Sequence, residues 1–122
     1  MDPNNGNFSQ RQTLRKKEII RGIKTFQYIF ENGRKLSGKH VNIFFIPHEE
    51  KKVGFVVSKK YKKAVHRNRI KRLMREVYRK NKQLFPIGSI LIYAKYFDQL
   101  ATFKNIFDDV KKITPNIKID DK

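Results

Sequence analysis

One segment of the chain interleaves basic and apolar residues with the period of a helix. In "HRNRIKRLMREVYRK", residues 66–80, the spacings i, i+3, i+4, i+7 and i+8 are occupied by Ile70, Leu73, Met74, Val77 and Tyr78. This spacing predicts a helix over residues 65–80 with one apolar face. An apolar face must be covered by a second layer of structure. The segment therefore requires a folded domain, and it is not the pattern of a disordered polybasic tail.

The opposite face of this predicted helix carries the positive charge. It presents Asn68, Lys71, Arg72, Arg75 and Arg79, while Arg69, Glu76 and Lys80 share one flank. Residues 59–82 contain twelve Lys or Arg and one acidic residue, so pairs such as Arg72–Glu76 leave most of the charge unbalanced. The planar fork of an arginine binds phosphate oxygens in pairs and also stacks on bases. We interpret the helix as a rigid cationic surface that fits phosphate groups.

The overall charge of the chain indicates the same kind of partner. Its 122 residues include 29 Lys and Arg against 11 Asp and Glu, a formal net charge of +18. Self-repulsion of this size opposes folding, and clustered positive charge is typical of domains that bind nucleic acid. The length fits one domain of about 100–200 residues. Ten Phe and five Tyr supply apolar area for a small core.

The composition also excludes several kinds of protein. With no cysteine, the chain has no disulfide, no thiolate zinc site and no cysteine nucleophile. No apolar run approaches the roughly 18 residues of a membrane-spanning helix. The N-terminal "MDPNNGNFSQ" lacks the charged and apolar regions of a signal peptide. We therefore expect a cytoplasmic protein with no membrane partner and no obligate protein partner.

The remaining patterns predict an α+β domain with the order α-β-β-α-β-α. A first helix in "GIKTFQYIFENG" ends at Gly33, which we interpret as its C-terminal cap. Runs of β-branched and aromatic residues predict strands in "HVNIFFI" (40–46), "VGFVVS" (53–58) and "SILIYA" (89–94). Thr102 is a candidate N-cap for a last helix. The apolar stripe of that helix consists of Phe103, Ile106, Phe107 and Val110.

The domain boundaries follow from the polar ends of the chain. We expect a flexible arm over residues 1–13, one domain over residues 14–113 and a polar tail over residues 114–122.

Catalysis by the chain itself would need ligands that the sequence does not group. A two-metal nuclease requires carboxylates that converge on ions about 3.5–4 Å apart. The acidic pairs lie in a turn, on a helix and in the tail, at Glu49-Glu50, Asp108-Asp109 and Asp120-Asp121. The histidines His40, His48 and His66 lack metal-ligand spacing, and His66 fits a polar position near a helix start. We expect no catalytic and no metal-binding residue in this chain.

Two other kinds of nucleic-acid-binding protein share this charge pattern. A helix-turn-helix protein places a basic helix in the major groove of DNA, but it needs a second helix joined by a short turn. The sequence contains no such second helix before or after the basic segment. A ribosomal or other structural RNA-binding protein fits the composition, and composition alone leaves it open.

The segment "SKKYKKAVHRNRIKRLMRE", residues 58–76, resembles the signature of the bacterial ribonuclease P protein component at most of its positions. "FQYIFENGRKLSGKHVNIFFIP" (26–47), "VGFVVSKK" and "SILIYA" are similar in order and spacing to the other elements of that family. The resemblance spans residues 14–113. It implies an α/β sandwich with a left-handed β-α-β crossover through the basic helix, against the usual right-handed rule.

The resemblance also implies a function and its partners. Proteins of this family join a catalytic RNA that removes the 5′ leader from precursor tRNA, and the RNA and its substrate hold the Mg²⁺. By position, the resemblance implies RNA binding by Lys59, Lys60, Arg67, Asn68, Arg69, Lys71, Arg72 and Arg75. It implies a cleft for the single-stranded leader formed by Phe26, Phe30 and Phe44.

Two positions depart from the family pattern, and the cleft residues have a second interpretation. Lys62 stands where glycine is common, and Val56 stands where a small polar residue can face the cleft. From the residues alone, Phe26 and Phe30 at spacing i, i+4 fit packing in the core better than a cleft. Alternation along "VNIFFI" places Val41, Ile43 and Phe45 on one face and Asn42, Phe44 and Ile46 on the other. The polar Asn42 favours the second face for a wet cleft.

We expect phosphate or sulfate anions to bind the basic helix and to stabilise the folded chain by mass action. The melting temperature should therefore be higher in sulfate than in chloride at equal ionic strength, as measured by calorimetry. Equal melting temperatures in the two salts would contradict specific anion sites.

Overall fold

A mixed β-sheet forms the central layer of the domain. The structure, a computed structural model, describes residues 16–97 and 101–117. In these residues the elements follow in the order α1 (Ile23–Asn32), β1 (Arg34–Ser37), β2 (Val41–Pro47), β3 (Lys52–Val57), α2 (Ala64–Lys80), β4 (Gly88–Ala94) and α3 (Phe103–Ile113). Short 3-10 turns occupy Lys16–Glu18, Lys82–Leu84 and Thr114–Asn116. The predicted arm and the last five residues of the predicted tail lie outside the described residues.

The strands lie in the order β1-β2-β4-β3. β2 pairs antiparallel with both β1 and β4, while β3 and β4 run parallel in the register Lys52↔Ser89 to Val57↔Ala94. Parallel neighbours need a crossover connection, and α2 provides it. The predicted α+β class and the β-α-β unit through the basic helix are confirmed. The left hand of the crossover stays an implication of the resemblance.

The order predicted from the sequence contains three strands, and the structure contains a fourth, β1, among the described residues. Its sequence, RKLS, has one apolar residue, and only Leu36 is partly buried. Such a segment lacks the alternation by which a half-buried strand is recognised. It becomes a strand because it pairs with the buried strand β2, with Leu36 opposite Ile43.

The two faces of the sheet support two separate apolar clusters. Val41, Ile43 and Phe45 of β2 belong to the main core under α2 and α3, whereas Phe44 packs with Ile29 on the α1 side. The alternation predicted for β2 is therefore confirmed. Because a shift of one residue would exchange the faces, this register decides which aromatic rings lie beneath α1.

The apolar stripe predicted for the basic helix is the part of α2 that packs on the core. Ile70, Met74, Val77 and Tyr78 are each 0% exposed, and Leu73 packs against them. Burying one such side chain contributes about 1.5–3 kcal/mol. This burial offsets the repulsion among the cations on the other side of the helix.

The last helix begins and continues as predicted. The Thr102 hydroxyl accepts a hydrogen bond from the Asn105 backbone N–H, and the Asn105 side chain accepts one from the Thr102 N–H, which completes a capping box. The chain remains packed as far as Ile117, which is 7% exposed. The packed chain thus extends four residues past the expected domain boundary at residue 113.

Gly33 follows α1 as predicted, but for a different reason than a left-handed cap. Its backbone is extended, with φ −77° and ψ 154°, and its N–H donates to the Ile29 carbonyl at 2.8 Å. A Cβ atom at this position would lie 2.6 Å from the same carbonyl oxygen. Close approach of the backbone, and not a positive φ, requires glycine here.

No helix within the two described stretches has both the length and the apolar character needed to cross a lipid bilayer.

The hydroxyl of Tyr78 is buried and has no hydrogen-bond partner among the described residues. Burial, and to a lesser extent the charge of Glu18, raise the pKa of Tyr78 well above its usual value, so the group stays neutral. Because Tyr78→Phe removes an unsatisfied polar group, it should leave the free energy of unfolding unchanged or raise it by up to about 1 kcal/mol. Tyr78→Ala should lower it by about 3–5 kcal/mol. Urea unfolding of the three proteins tests this, and a clear loss in Tyr78→Phe would contradict it.

Candidate nucleic-acid interface

The outer face of α2 presents a row of basic side chains to solvent. Asn68, Lys71, Arg72 and Arg75 are all exposed. None of the three cations forms an ion pair with another residue in the described ranges. Because the opposite side of the helix is fully buried, the core fixes the spacing of these residues and the face of the helix on which they lie.

The single acid of the basic segment is used away from this row. The pair Arg72–Glu76, which the helical spacing allows, does not form. Instead a Glu76 carboxylate oxygen lies 2.6 Å from Arg79 Nη2 and 3.8 Å from Lys80 Nζ. Arg72 is thereby left available to an external anion.

Two of the predicted RNA-binding arginines also hold the fold together. Arg67 Nη1 donates to the carbonyls of Tyr61 at 2.7 Å and Lys62 at 3.0 Å. Arg69 Nη1 donates to the carbonyl of Ala101 at 2.9 Å. A guanidinium has five N–H donors, so each side chain keeps donors for a ligand. The sequence gives no sign of these contacts, because all three acceptors are backbone oxygens.

The loop that leads into α2 is held by its own hydrogen bonds. The Tyr61 N–H donates to the Ser58 carbonyl at 3.2 Å, and the Lys60 N–H donates to Ser58 Oγ at 3.2 Å. The Tyr61 hydroxyl donates to the Lys95 carbonyl at 3.1 Å and accepts from the Phe97 N–H at 3.0 Å. Lys59 and Lys60 are exposed at the tip of this loop, so their ammonium groups start from a defined backbone.

Three phenylalanines predicted to form a cleft lie together between α1 and the sheet. Phe44 is 7% exposed, and Phe30 is 37% exposed. Their ring centroids are 4.8 Å apart in an edge-to-face arrangement. Phe26 is half-buried and packs on Gly54, where a Cβ atom would lie 2.6 Å from the Phe26 ring. Phe26 and Phe30 therefore pack against the sheet and also keep part of each ring accessible to solvent.

The aromatic and basic surfaces open into the same space beside β3. A groove of about 340 Å³ is lined by Phe26 of α1, by Arg67, Asn68 and Lys71 of α2, and by Lys59 and residues 55–57 of β3. A second groove of about 360 Å³ contains Phe30, Tyr93, Lys60 and the same residues Val56, Val57 and Lys59. Val56 therefore contributes an apolar floor to both grooves.

Tyr93 is a member of this site that sequence reasoning missed. Its ring centroid lies 6.1 Å from that of Phe30. Strand register places it there, because Tyr93 is opposite Asn42 on β2 and opposite Val56 on β3. Alternation of polar and apolar residues along β4 could have shown on which face of the sheet Tyr93 lies. The run "SILIYA" is apolar at nearly every position, so this alternation cannot be seen in the sequence.

The acidic residues near α2 and α3 are engaged in separate contacts. Asp108 and Asp109 point apart: Lys104 Nζ donates to Asp108 at 2.8 Å, and the backbone N–H of Val41 donates to Asp109 at 2.9 Å. The hydrogen bond from Lys104 lowers the pKa of the Asp108 carboxyl. Within the described part of the chain, no three His, Asp or Glu side chains are grouped so that they could hold a metal ion.

An α+β domain that fixes a row of cations beside partly exposed aromatic rings belongs to the class of nucleic-acid-binding proteins. The family model of ribonuclease P matches residues 14–118. The chain belongs to the family of ribonuclease P protein components.

Individual relatives agree with this assignment. The ribonuclease P protein component of Petrotoga mobilis is 35% identical over 97 residues, which cover 78% of this chain and 82% of that protein. The protein of the same name from a Nitratiruptor species is 35% identical over 101 residues, or 83% of this chain and 93% of that protein.

Solved structures agree with the fold. The RNase P protein from Thermotoga maritima matches with a TM-score of 0.71 and 26% identity, over 83% of this chain and 98% of that one. The RNase P protein of Staphylococcus aureus matches with a TM-score of 0.72 over 84% of this chain and 96% of that one. At 24% identity, this second likeness supports the fold alone.

The two rings Phe30 and Phe44 should differ in their importance for folding. Phe44→Ala empties a buried position and should lower the free energy of unfolding by about 3–5 kcal/mol. Phe30→Ala removes a partly exposed ring and should lower it by about 1–2 kcal/mol. Chemical denaturation measures both values. Equal losses would mean that Phe30 is a core residue and not part of an open cleft.

Proposed function

We propose that the chain binds the catalytic RNA of ribonuclease P through α2 and its leading loop, and that it holds the 5′ leader of precursor tRNA between α1 and the sheet. The ribonucleoprotein then removes the leader to give the mature 5′ end of the tRNA. The observation that carries this proposal is the shared groove, in which Phe26 faces Arg67, Asn68 and Lys71 across β3. Cations that can bind the RNA phosphates therefore lie next to an aromatic ring on which a base can stack.

The physical properties of a single-stranded leader match this arrangement. Its phosphates attract the cations, and its unpaired bases expose flat faces that stack on aromatic rings for about 1–3 kcal/mol each. Stacking tolerates any base, which suits leaders of varied sequence. Phe30 and Tyr93 are the partly exposed rings of the second groove, and Lys59 and Lys60 at its rim would hold the phosphates.

The proposed roles on α2 divide between two kinds of residue. Arg72 and Arg75 are free to contact phosphates of the catalytic RNA, and the exposed Asn68 amide both donates and accepts hydrogen bonds. Arg67 and Arg69 would bind the RNA with the donors that their backbone contacts leave unused. Binding at Arg67 would then also stiffen the loop that carries Lys59 and Lys60.

We also propose that the RNA and its substrate supply the catalytic Mg²⁺. Glu76 of α2 is already paired with Arg79, and Glu18 is paired with Lys82 at 2.9 Å. The protein would raise the affinity for substrate and reduce the repulsion between two RNA molecules. The absence of cysteine from the chain fits action in the reducing cytoplasm.

The test is cleavage of a leader-bearing precursor tRNA at low Mg²⁺ concentration by the protein, by a bacterial ribonuclease P RNA and by both together. We expect efficient cleavage only when both are present. Cleavage by the protein alone would overturn the proposal. No gain on adding the protein would leave a basic RNA-binding domain of another function.

Two variants should separate the two surfaces. Arg72→Ala should weaken binding to the catalytic RNA about tenfold and reduce the salt dependence by about one phosphate contact. Phe30→Ala should leave that affinity unchanged and weaken binding of the precursor by the assembled complex about 5- to 150-fold. Lys104→Ala, at a side chain that is 82% exposed on α3, is the matched control. Mature tRNA should bind the Phe30→Ala and unaltered complexes equally.

A further inference from the structure

One groove of the described chain lies away from the α2 surface and from the aromatic cleft. It has a volume of about 530 Å³ and follows β1 at the free edge of the sheet, between the β1–β2 hairpin and the end of α3. Its basic lining consists of Arg34, Lys35, Lys39 and Lys112. We call this the edge groove.

The wall of the edge groove is fixed by buried contacts. Asp109 of α3 is 6% exposed and accepts hydrogen bonds from the backbone N–H groups of His40 and Val41 in the hairpin. Lys95 Nζ donates to the Gly38 carbonyl at 2.8 Å. A Cβ atom at Gly38 would lie 2.8 Å from Asp109 Oδ2 and 2.9 Å from Ile113 Cδ1. The hairpin is therefore held against α3, and the backbone positions that carry its cations are defined.

The four cations of the edge groove are available to an external anion. All four are exposed, and none forms an ion pair with another residue of the described ranges. The one carboxylate in the lining, Asp109, is turned into the hairpin backbone. Asn116 adds an exposed amide at the rim. As the outermost strand among the described residues, β1 also has backbone donors on its free side.

The edge groove cannot share phosphates with α2. β1 and β3 are at opposite edges of the sheet, three strand spacings or about 14 Å apart. This separation exceeds the screening length of about 10 Å at 0.1 M salt. At the other edge, the chain itself partly covers β3 through the bridge Ile19↔Val53. The two basic surfaces therefore act as independent sites.

We propose that the edge groove is a second RNA-binding site, which holds a phosphodiester backbone other than the segments bound at α2 and in the cleft. The proposal rests on the proposed function in taking RNA as the polyanion. Exposed positive charge on an edge strand also prevents edge-to-edge aggregation, but that role requires neither a groove nor the contribution of Lys112 from α3. The backbone would belong either to the catalytic RNA or to the precursor tRNA.

The test compares two triple variants that lose the same charge. Arg34→Gln, Lys35→Gln and Lys39→Gln together remove three of the four cations of the edge groove, while Lys24→Gln, Lys104→Gln and Lys111→Gln remove three exposed cations elsewhere. Binding is measured against salt concentration, first with a bacterial ribonuclease P RNA and then with precursor tRNA and the assembled complex. The groove variant should bind about tenfold more weakly than the control, with a salt dependence smaller by about two to three phosphate contacts.

The stage at which the loss occurs identifies the RNA. A loss with the catalytic RNA alone assigns the groove to that RNA, and a loss only on adding precursor assigns it to the substrate. Equal binding by the two variants overturns the proposal. Prevention of edge-to-edge aggregation would then be enough to explain the positive charge on β1. The cleavage assay on the unaltered protein tests the proposed function separately, because it does not depend on either variant.

A second measurement uses the absence of cysteine. Ser37→Cys in the edge groove offers a single attachment point for an iron–EDTA probe. Hydroxyl radicals from this probe should cut the bound RNA in one short region, which differs from the region cut from a probe at Lys104→Cys. Diffuse cutting, or none, from the Ser37 position would contradict a bound backbone.

Discussion

The burial of one stripe of α2 against the sheet is the contact on which the rest of the structure depends. Ile70, Met74 and Val77 leave no surface to solvent, and together they fix the rotation of the helix about its axis. Without these buried contacts, the basic residues of the segment would have no fixed orientation relative to the rest of the domain. With them, Arg72 and Arg75 start from fixed backbone positions on the exposed face of the helix, from which a guanidinium can make a bidentate contact with a phosphate.

The sheet connects this charged surface to the aromatic one. β3 is the edge strand between α1 on one face and α2 on the other, so side chains from both helices reach the grooves along its border. The register of β2 matters for the same reason. It places Phe45 in the main core and Phe44 beneath α1, and a slip by one residue would exchange them. The register of β2 thus determines both which side chains fill the main core and which aromatic ring lies in the cleft.

Periodicity accounts for what the sequence predicted well. The stripe of α2, the alternation of β2 and the Thr102 cap are local patterns of strong physical preference, and each is found where it was expected. β1 was missed because it is polar and owes its conformation to pairing with β2. The inward hydrogen bonds of Arg67 and Arg69 join residues to distant backbone carbonyls, and no residue type marks such an acceptor. The edge groove is hidden for the same reason, since it brings Lys112 next to a hairpin more than 70 residues earlier in the chain.

The two inward arginines indicate how the protein tolerates a net charge of +18 before it meets RNA. Most exposed cations of α2 have no partner in the described chain, and their repulsion opposes folding. Arg67 and Arg69 instead donate to carbonyl oxygens, where positive charge meets the negative end of a dipole. Their contacts therefore stabilise the loop before α2 and the segment that leads into α3, and each guanidinium keeps further N–H donors. Lysine at these positions would keep the charge but lose the additional N–H donors that a guanidinium retains after its backbone contacts are made, so the use of arginine here reflects the fold as well as the ligand.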